Sequence, residues 1–161
     1  MQTNEEIAKI LIKNNLKIAT TESCTGGLLS SKLTDISGSS AFVQANLVTY
    51  ANEAKQKFLG VRAETLENFG AVSEECSYEM AIGLQKLTNA DVCVSTTGIA
   101  GPTGGTEEKP VGLMYSTICT KEKAITYEIH FHPEIPRIEM KELFVQAVLE
   151  KLYTFLQKSG F

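Results

Sequence analysis

The chain has 161 residues, a formal charge of −4 and a pI near 5.3, and 43% of its residues are hydrophobic. This size and apolar content suit one globular domain over residues 1–161 with a single core. An acidic chain lacks the clustered Lys and Arg that bind phosphate backbones, which argues against nucleic acid as a partner. No apolar run approaches the ~20 residues of a membrane span, so we expect no membrane partner.

The cysteines and histidines predict no metal site. No CxxC pair occurs, and the two histidines, His130 and His132, lie together without a suitable cluster beside them. Unpaired thiols fit a reducing cytoplasm, where we expect this protein to be. We expect no cofactor. The four cysteines are Cys24, Cys76, Cys93 and Cys119. Cys93 and Cys119 lie in strand-like runs, where we expect them to be small buried hydrophobes.

Helical and extended patterns alternate over the first half of the chain. Apolar residues at helical spacing predict a helix within residues 1–15, and residues 17–22 read as a short strand. Leu28, Leu29 and Leu33 predict a second helix, and residues 41–50 predict a second strand by their Val and aromatic content.

The second half continues the alternation. Asn52 is predicted to cap a helix that ends at Gly60, a short helix follows at residues 63–69, and Ser73 is predicted to cap the next helix. Residues 90–97 read as a buried strand.

The chain then enters a glycine-rich loop over residues 98–112. A strand pair at residues 111–120 and 124–132 predicts a hairpin, and a long helix starts near Arg137. These elements predict a three-layer α/β/α fold with a mixed, mostly parallel sheet.

Ligands of open α/β sheets bind where strand ends meet helix starts. The first such place is "TESCTGG", where Gly26 and Gly27 allow close approach and their N–H groups could hold an oxyanion beside the Ser23 hydroxyl. The same pattern is typical of a plain helix cap at Ser23 or Thr25. The spacing leaves both interpretations open.

The second place is "TYANEAK". A lysine in the first turn of a helix, close to the positive end of the helix dipole, has a lowered pKa if it is buried, so Lys55 could act as the base toward a serine, with Tyr50 passing or orienting the proton. A solvated lysine and a core tyrosine fit the pattern equally. The glycine loop lacks the GK[ST] ending of a Walker A motif, and Arg137 is a candidate phosphate contact.

Several motifs together resemble the CinA C-terminal domain family, whose members include nicotinamide mononucleotide deamidases. They are "TESCTGG", "GSSAFVQANLVTYANEAKQKFLGV", "GAVSEE", "MAIG" and "TTGIAGPTGGTEEKPVG", in this order. The resemblance covers Thr20 to Gly112, weakens in the last third, and is to the stand-alone form of the domain.

The resemblance implies an amidohydrolase that converts nicotinamide mononucleotide to nicotinate mononucleotide and ammonia without a metal. It places the catalytic serine, tyrosine and lysine on Ser23, Tyr50 and Lys55. It also implies a small-molecule substrate, a pyridine mononucleotide, and a homo-oligomer. The substrate-binding residues that we predict on this basis, and from the turn and the glycine loop, are Thr25, Gly26, Gly27, Ser40, Thr97, Gly98, Gly101 and Arg137.

The sequence departs from many relatives at "HPEIPRIEMKE", where the usual glycine and aspartate before the arginine are absent and Lys141 falls near the position of a second arginine. Two alternatives to this hypothesis remain, one with a different nucleophile and one without catalysis. Cys24 could be the nucleophile instead, because a helix start lowers a thiol pKa. A non-catalytic nucleotide-binding or partner-binding module is the other alternative.

Overall fold

The computed structural model describes residues 3–161 as a five-stranded mixed sheet with helices on both faces. Residues 1 and 2, which the predicted domain and first helix include, lie outside the described residues. The predicted three-layer α/β/α fold is confirmed. The elements are α1 (Thr3–Lys13), β1 (Ile18–Glu22), α2 (Leu28–Thr34), a 3₁₀ turn (Ser39–Ala41), β2 (Val43–Val48), α3 (Asn52–Leu59), α4 (Ala63–Phe69), α5 (Glu74–Thr88), β3 (Val92–Gly98), β4 (Leu113–Cys119), β5 (Ala124–His130) and α6 (Arg137–Lys158).

The sheet has the strand order β2-β1-β3-β4-β5. β1 pairs in parallel with β2 and β3, whereas the β3–β4 and β4–β5 pairs are antiparallel. Four strands therefore run in one direction and only β4 is reversed. β4 and β5 form the predicted hairpin. The carboxyl ends of β1, β2 and β3 meet at one edge of the sheet, where α/β proteins bind ligands.

Each face of the sheet has its own hydrophobic core. On one face α1, α2 and α6 bury residues such as Leu11, Leu29 and Phe144. On the other face α3 and α5 bury residues such as Leu59 and Met80.

Two predicted helix termini are confirmed and one is wrong. Ser73 Oγ accepts a hydrogen bond from the Cys76 backbone N–H at 3.1 Å at the start of α5, and Gly60 ends α3 with a φ of +69°. Asn52 does not cap α3. It is the first helical residue, and Ala51 precedes it in an extended conformation without a side-chain cap.

The helices α3 and α5 approach each other closely at Gly83. A Cβ atom on this residue would lie 1.8 Å from the Leu59 carbonyl oxygen, far inside van der Waals contact. Because only glycine lacks a Cβ, the end of α3 can rest directly on the α5 backbone.

The four cysteines are all free and buried, which confirms the burial predicted for Cys93 and Cys119. Cys93 and Cys119 lie opposite each other on β3 and β4. Among residues 3–161, no helix has both the length and the apolar character that crossing a membrane requires.

Candidate active site

A tight turn follows β1 and presents Ser23 at the edge of the sheet. The Ser23 N–H donates to the Thr96 carbonyl oxygen on β3 at 3.0 Å, and the Gly26 N–H donates to the Ser23 carbonyl oxygen at 3.1 Å. Gly26 and Gly27 have φ values of +61° and +101°. Side chains other than glycine rarely adopt this backbone, so the glycine pair is required for the turn.

Lys55 reaches this turn from α3 with its side chain almost wholly buried, at 1% exposure. Its Nζ lies 3.0 Å from Ser23 Oγ. It also lies 2.9 Å from the carbonyl oxygens of Thr49 and Tyr50, in the loop between β2 and α3. No acidic side chain in the described part of the chain forms an ion pair with Lys55. Burial without a carboxylate partner lowers the pKa of Lys55 below its ordinary 10.5.

The three partners of Lys55 suit a neutral amine that acts on a serine. A neutral amine has two hydrogens and one lone pair. If the hydrogens go to the Thr49 and Tyr50 carbonyl oxygens, the lone pair is directed at Ser23 Oγ and can accept its proton. The loop carbonyls thus orient the base, and they also hold the ammonium once it forms.

The side chain of Tyr50 lies away from this contact. Its phenol is 59% exposed and accepts a hydrogen bond from Arg137 Nη2 at 3.2 Å. Arg137 Nη1 donates to the Gly101 carbonyl oxygen at 2.7 Å. Tyr50 therefore meets Lys55 through its backbone and Arg137 through its hydroxyl.

These residues surround a cleft of about 260 Å³ at the carboxyl edge of the sheet. Thr97, at the end of β3, is buried, and its hydroxyl donates to the Ala71 carbonyl oxygen at 2.7 Å, which fixes one wall. The predicted residues that the structure brings together here are Ser23, Tyr50, Lys55, Thr97, Gly98, Gly101 and Arg137.

The remaining predicted residues do not line the cleft. The Thr25 side chain is buried beneath the turn, and Gly26 faces the Nζ of Lys141, which lies 3.4 Å from where a Cβ would stand. The Gly26 N–H is used within the turn, so Thr25 and Gly27 remain the candidates for oxyanion donors. Ser40 is exposed and precedes β2, at the opposite edge of the sheet from Ser23.

No sequence pattern led us to predict a role at the site for Glu22, the last residue of β1. Its carboxylate is fully buried and accepts hydrogen bonds from the backbone N–H groups of Leu29 at 2.8 Å and Ser30 at 3.0 Å. The helix cap predicted at Ser23 or Thr25 is therefore wrong, because Glu22 supplies it and Gly27 precedes α2 without a side-chain cap. This capping role could have been predicted from the position of the carboxylate a few residues before a helix start, where the helix dipole favours negative charge.

The structure also contradicts the lowered thiol pKa expected for Cys24. Burial raises the pKa of this thiol to about 12, and the nearby Glu22 carboxylate adds to the effect. A thiol at this pKa stays protonated near neutral pH, so it is a poor nucleophile.

Fold and site together define a three-layer α/β domain in which a buried lysine contacts a partly exposed serine at the carboxyl edge of the parallel strands. The model of the CinA C-terminal domain matches residues 1–156. The chain belongs to this family, as its motifs predicted.

Similar proteins agree with this membership. A CinA-like protein of Chloroherpeton thalassium is 54% identical over 163 residues, which cover 99% of this chain and 38% of that protein. A CinA-like protein of Chlorobium limicola is 46% identical, over 96% of this chain and 37% of its own length. The chain thus spans a little over a third of the length of these relatives.

Solved structures match over nearly the whole chain. The competence/damage inducible protein CihA from Agrobacterium tumefaciens has a TM-score of 0.89 and 41% identity, with 98% of this chain and 97% of that chain covered. The competence damage-inducible protein A from Klebsiella pneumoniae has a TM-score of 0.92 and 34% identity, with 96% and 95% covered.

Proposed function

We propose that this domain is an amidohydrolase that converts nicotinamide mononucleotide and water to nicotinate mononucleotide and ammonia. The observation that carries the proposal is the 3.0 Å contact between Lys55 Nζ and Ser23 Oγ. A buried lysine with a lowered pKa, bonded to a serine hydroxyl, is a base–nucleophile pair that needs no histidine.

In the first half of the reaction, Ser23 Oγ attacks the carboxamide carbon of the substrate while Lys55 takes the hydroxyl proton. The carbonyl oxygen becomes an oxyanion, and the N–H groups of Thr25 and Gly27 in the Ser23 turn are the donors that we predict for it. The C–N bond then breaks, and the Lys55 ammonium gives its proton to the leaving nitrogen. Ammonia departs and an ester joins the nicotinoyl group to Ser23.

In the second half, water attacks the ester. Lys55 takes a proton from this water, the bond between the acyl carbon and Ser23 Oγ breaks, and Ser23 regains the proton from Lys55. The product is the carboxylic acid, which releases its remaining proton to water or to ammonia and leaves as the carboxylate. The Thr49 and Tyr50 carbonyl oxygens can stabilise Lys55 in each cationic stage, because they accept its hydrogens in both protonation states.

The nucleotide end of the substrate fits the other side of the cleft. Arg137 reaches the glycine loop at Gly101, so its guanidinium is available to a phosphate there. Lys141, one turn further along α6, brings a second cation over Gly26. This lysine offers the charge that the second arginine supplies in many relatives.

Ammonia release from nicotinamide mononucleotide tests the proposal. The wild-type protein should release ammonia and nicotinate mononucleotide in equal amounts, and Ser23→Ala should lose at least about 10³-fold in kcat, as nucleophile removal does. Brief acid quenching during turnover should trap a nicotinoyl adduct, and peptide mass spectrometry should locate it on Ser23. Wild-type protein that is folded, binds the nucleotide and releases no ammonia would instead support the non-catalytic binding module.

A further inference from the structure

We infer that Glu22 is a positioning residue for the nucleophile: its buried carboxylate fixes the Ser23 turn through a directed chain of hydrogen bonds. The inference rests on the proposed function, because it assigns Ser23 the role of nucleophile. Glu22 does not line the cleft. It acts on the reaction only through the backbone that carries Ser23.

The carboxylate lies at the junction of β1, α2 and the Ser23 turn. Its Oε1 accepts from the Thr25 hydroxyl at 2.6 Å and from the Leu29 N–H at 2.8 Å. Its Oε2 accepts from the Ser30 N–H at 3.0 Å and from the Ser30 hydroxyl at 2.5 Å. Within residues 3–161 no basic side chain forms an ion pair with Glu22, so these four donors and the α2 dipole hold the charge.

One of these contacts leads back to the nucleophile. Thr25 donates its only hydroxyl hydrogen to Glu22, so in its 2.8 Å contact with the Thr96 hydroxyl it must accept. Thr96 then has its own hydrogen committed to Thr25 and its oxygen free to accept. The Ser23 N–H, which donates to the Thr96 carbonyl oxygen, also points at this hydroxyl oxygen from 3.4 Å.

The direction of every hydrogen in this chain follows from the carboxylate. Glu22 can only accept, so the hydrogens point from Ser23 through Thr96 and Thr25 toward it. Glu22, Thr25 and Thr96 are fully buried, where a hydrogen bond resists competition from water. The Ser23 backbone is thereby held in one orientation, and the 3.0 Å distance from Ser23 Oγ to Lys55 depends on that orientation.

The substitution Glu22→Gln tests this role because it keeps the shape and changes one acceptor oxygen into an NH₂ donor. In either orientation the amide nitrogen meets a backbone N–H, of Leu29 or of Ser30, which cannot reverse. We expect kcat for nicotinamide mononucleotide to fall about 10- to 100-fold while KM stays within about twofold, since a bond to a charged group is lost and the cleft is untouched.

A pair of variants at Thr25 covers the case in which Glu22→Gln does not fold. Thr25→Val removes the hydroxyl at nearly constant shape and should lower kcat like Glu22→Gln. Thr25→Ser keeps the hydroxyl and should recover most of the kcat that Thr25→Val loses. Ser77→Ala is the matched control for stability, because Ser77 is equally buried and hydrogen-bonded but bonds to Ser95 and Thr117.

Measurements of thermal unfolding and of steady-state kinetics on all four variants test the positioning role of Glu22. The inference fails if Thr25→Val turns over like the wild type, or if kcat in every variant, Ser77→Ala included, simply follows the loss in Tm. A second readout separates this failure from failure of the proposed function. Phosphonylation of Ser23 by a fluorophosphonate probe, in which the serine oxygen bonds to phosphorus and fluoride leaves, needs no nucleotide. Thr25→Val should slow it about 10-fold relative to Thr25→Ser even if the wild type releases no ammonia.

Discussion

The guanidinium of Arg137 donates to the phenolic oxygen of Tyr50 at 3.2 Å, which joins the start of α6 to the loop that follows β2. Its other terminal nitrogen holds the Gly101 carbonyl oxygen at 2.7 Å. One arginine therefore spans the mouth of the cleft. A substrate anion that binds here would replace a neutral acceptor of Arg137 with an anionic one. Because the guanidinium is positively charged, it binds the anionic acceptor more strongly.

Arg137→Ala should weaken substrate binding more than chemistry. We expect KM for nicotinamide mononucleotide to rise about 10- to 100-fold, which corresponds to ~1.5–3 kcal/mol for a charge-assisted contact. Nicotinamide riboside, which lacks the phosphate, should show a much smaller change. Steady-state kinetics on the two substrates make the comparison. Equal losses on both would assign Arg137 to the fold or to catalytic geometry, and the phosphate site would then be sought at Lys141.

Tyr50→Phe separates the two contacts of the tyrosine. The substitution removes the hydroxyl that Arg137 holds and keeps the backbone oxygen that Lys55 holds. We expect a loss of about 10-fold in kcat/KM, close to the value of one hydrogen bond to a charged group. Rapid-quench measurement of the acylation rate provides the test. A loss as large as that of Ser23→Ala would mean that the phenol itself transfers the proton.

Activity should rise with pH through a transition below 10.5. Burial lowers the pKa of Lys55, and only its neutral form accepts the Ser23 proton, so the active fraction grows as pH passes that lowered pKa and then levels off. The pH profile of kcat/KM with nicotinamide riboside, whose charge does not change with phosphate ionisation, reports the transition. Lys55→Arg keeps the charge but cannot deprotonate in this range, and near-normal turnover in that variant would exclude Lys55 as the base.

Cys24→Ala should retain more than about half of the wild-type kcat. The thiol has a pKa raised to about 12 by burial, so it does not compete with Ser23 as a nucleophile near neutral pH. Iodoacetamide should for the same reason alkylate Cys24 slowly in the folded protein. The measurement is the rate of ammonia release after prolonged treatment with iodoacetamide. Activity lost in Cys24→Ala and kept in Ser23→Ala would reverse the assignment of the nucleophile.

Ser40 and the expected homo-oligomer can be tested together. Ser40 precedes β2 and Ser23 follows β1, so a parallel strand pair of about 20 Å separates them within one chain. Ser40 can therefore contact a substrate at Ser23 only from a second copy. Ser23→Ala and Ser40→Ala should each be impaired. If the protein is a dimer, an equimolar mixture of the two variants should recover about a quarter of wild-type activity, because half of the randomly paired dimers are mixed and each of these has one intact site of two. No recovery on mixing, or full activity in Ser40→Ala, would contradict this prediction.

Local patterns in the sequence were sufficient to predict the layers of the fold. The elements alternate, and the hairpin of β4 and β5 and the Ser73 cap follow from short-range turn and capping chemistry. The contact between Ser23 and Lys55 joins residues 32 positions apart and depends on β1 and β2 being neighbours, which no local pattern specifies. The family motifs supplied that pairing.

Glu22 escaped prediction because hydropathy places a charged residue at the surface. In the structure four donors surround its carboxylate, which makes burial tolerable. The raised pKa of Cys24 was missed for a related reason. A helix start lowers a thiol pKa only when the thiol is accessible to its N–H groups and to water, and Cys24 is buried in the core instead.

The close approach of α3 and α5 at Gly83 helps to fix the position of Lys55. Leu59, whose carbonyl oxygen touches Gly83, lies one helical turn beyond Lys55 on the same face of α3. A methyl group at residue 83 would push this end of α3 outward, and Lys55 would move with it away from Ser23. The distance between Lys55 and Ser23 thus depends on the absence of a side chain at Gly83, although α5 contributes no residue to the lining of the cleft.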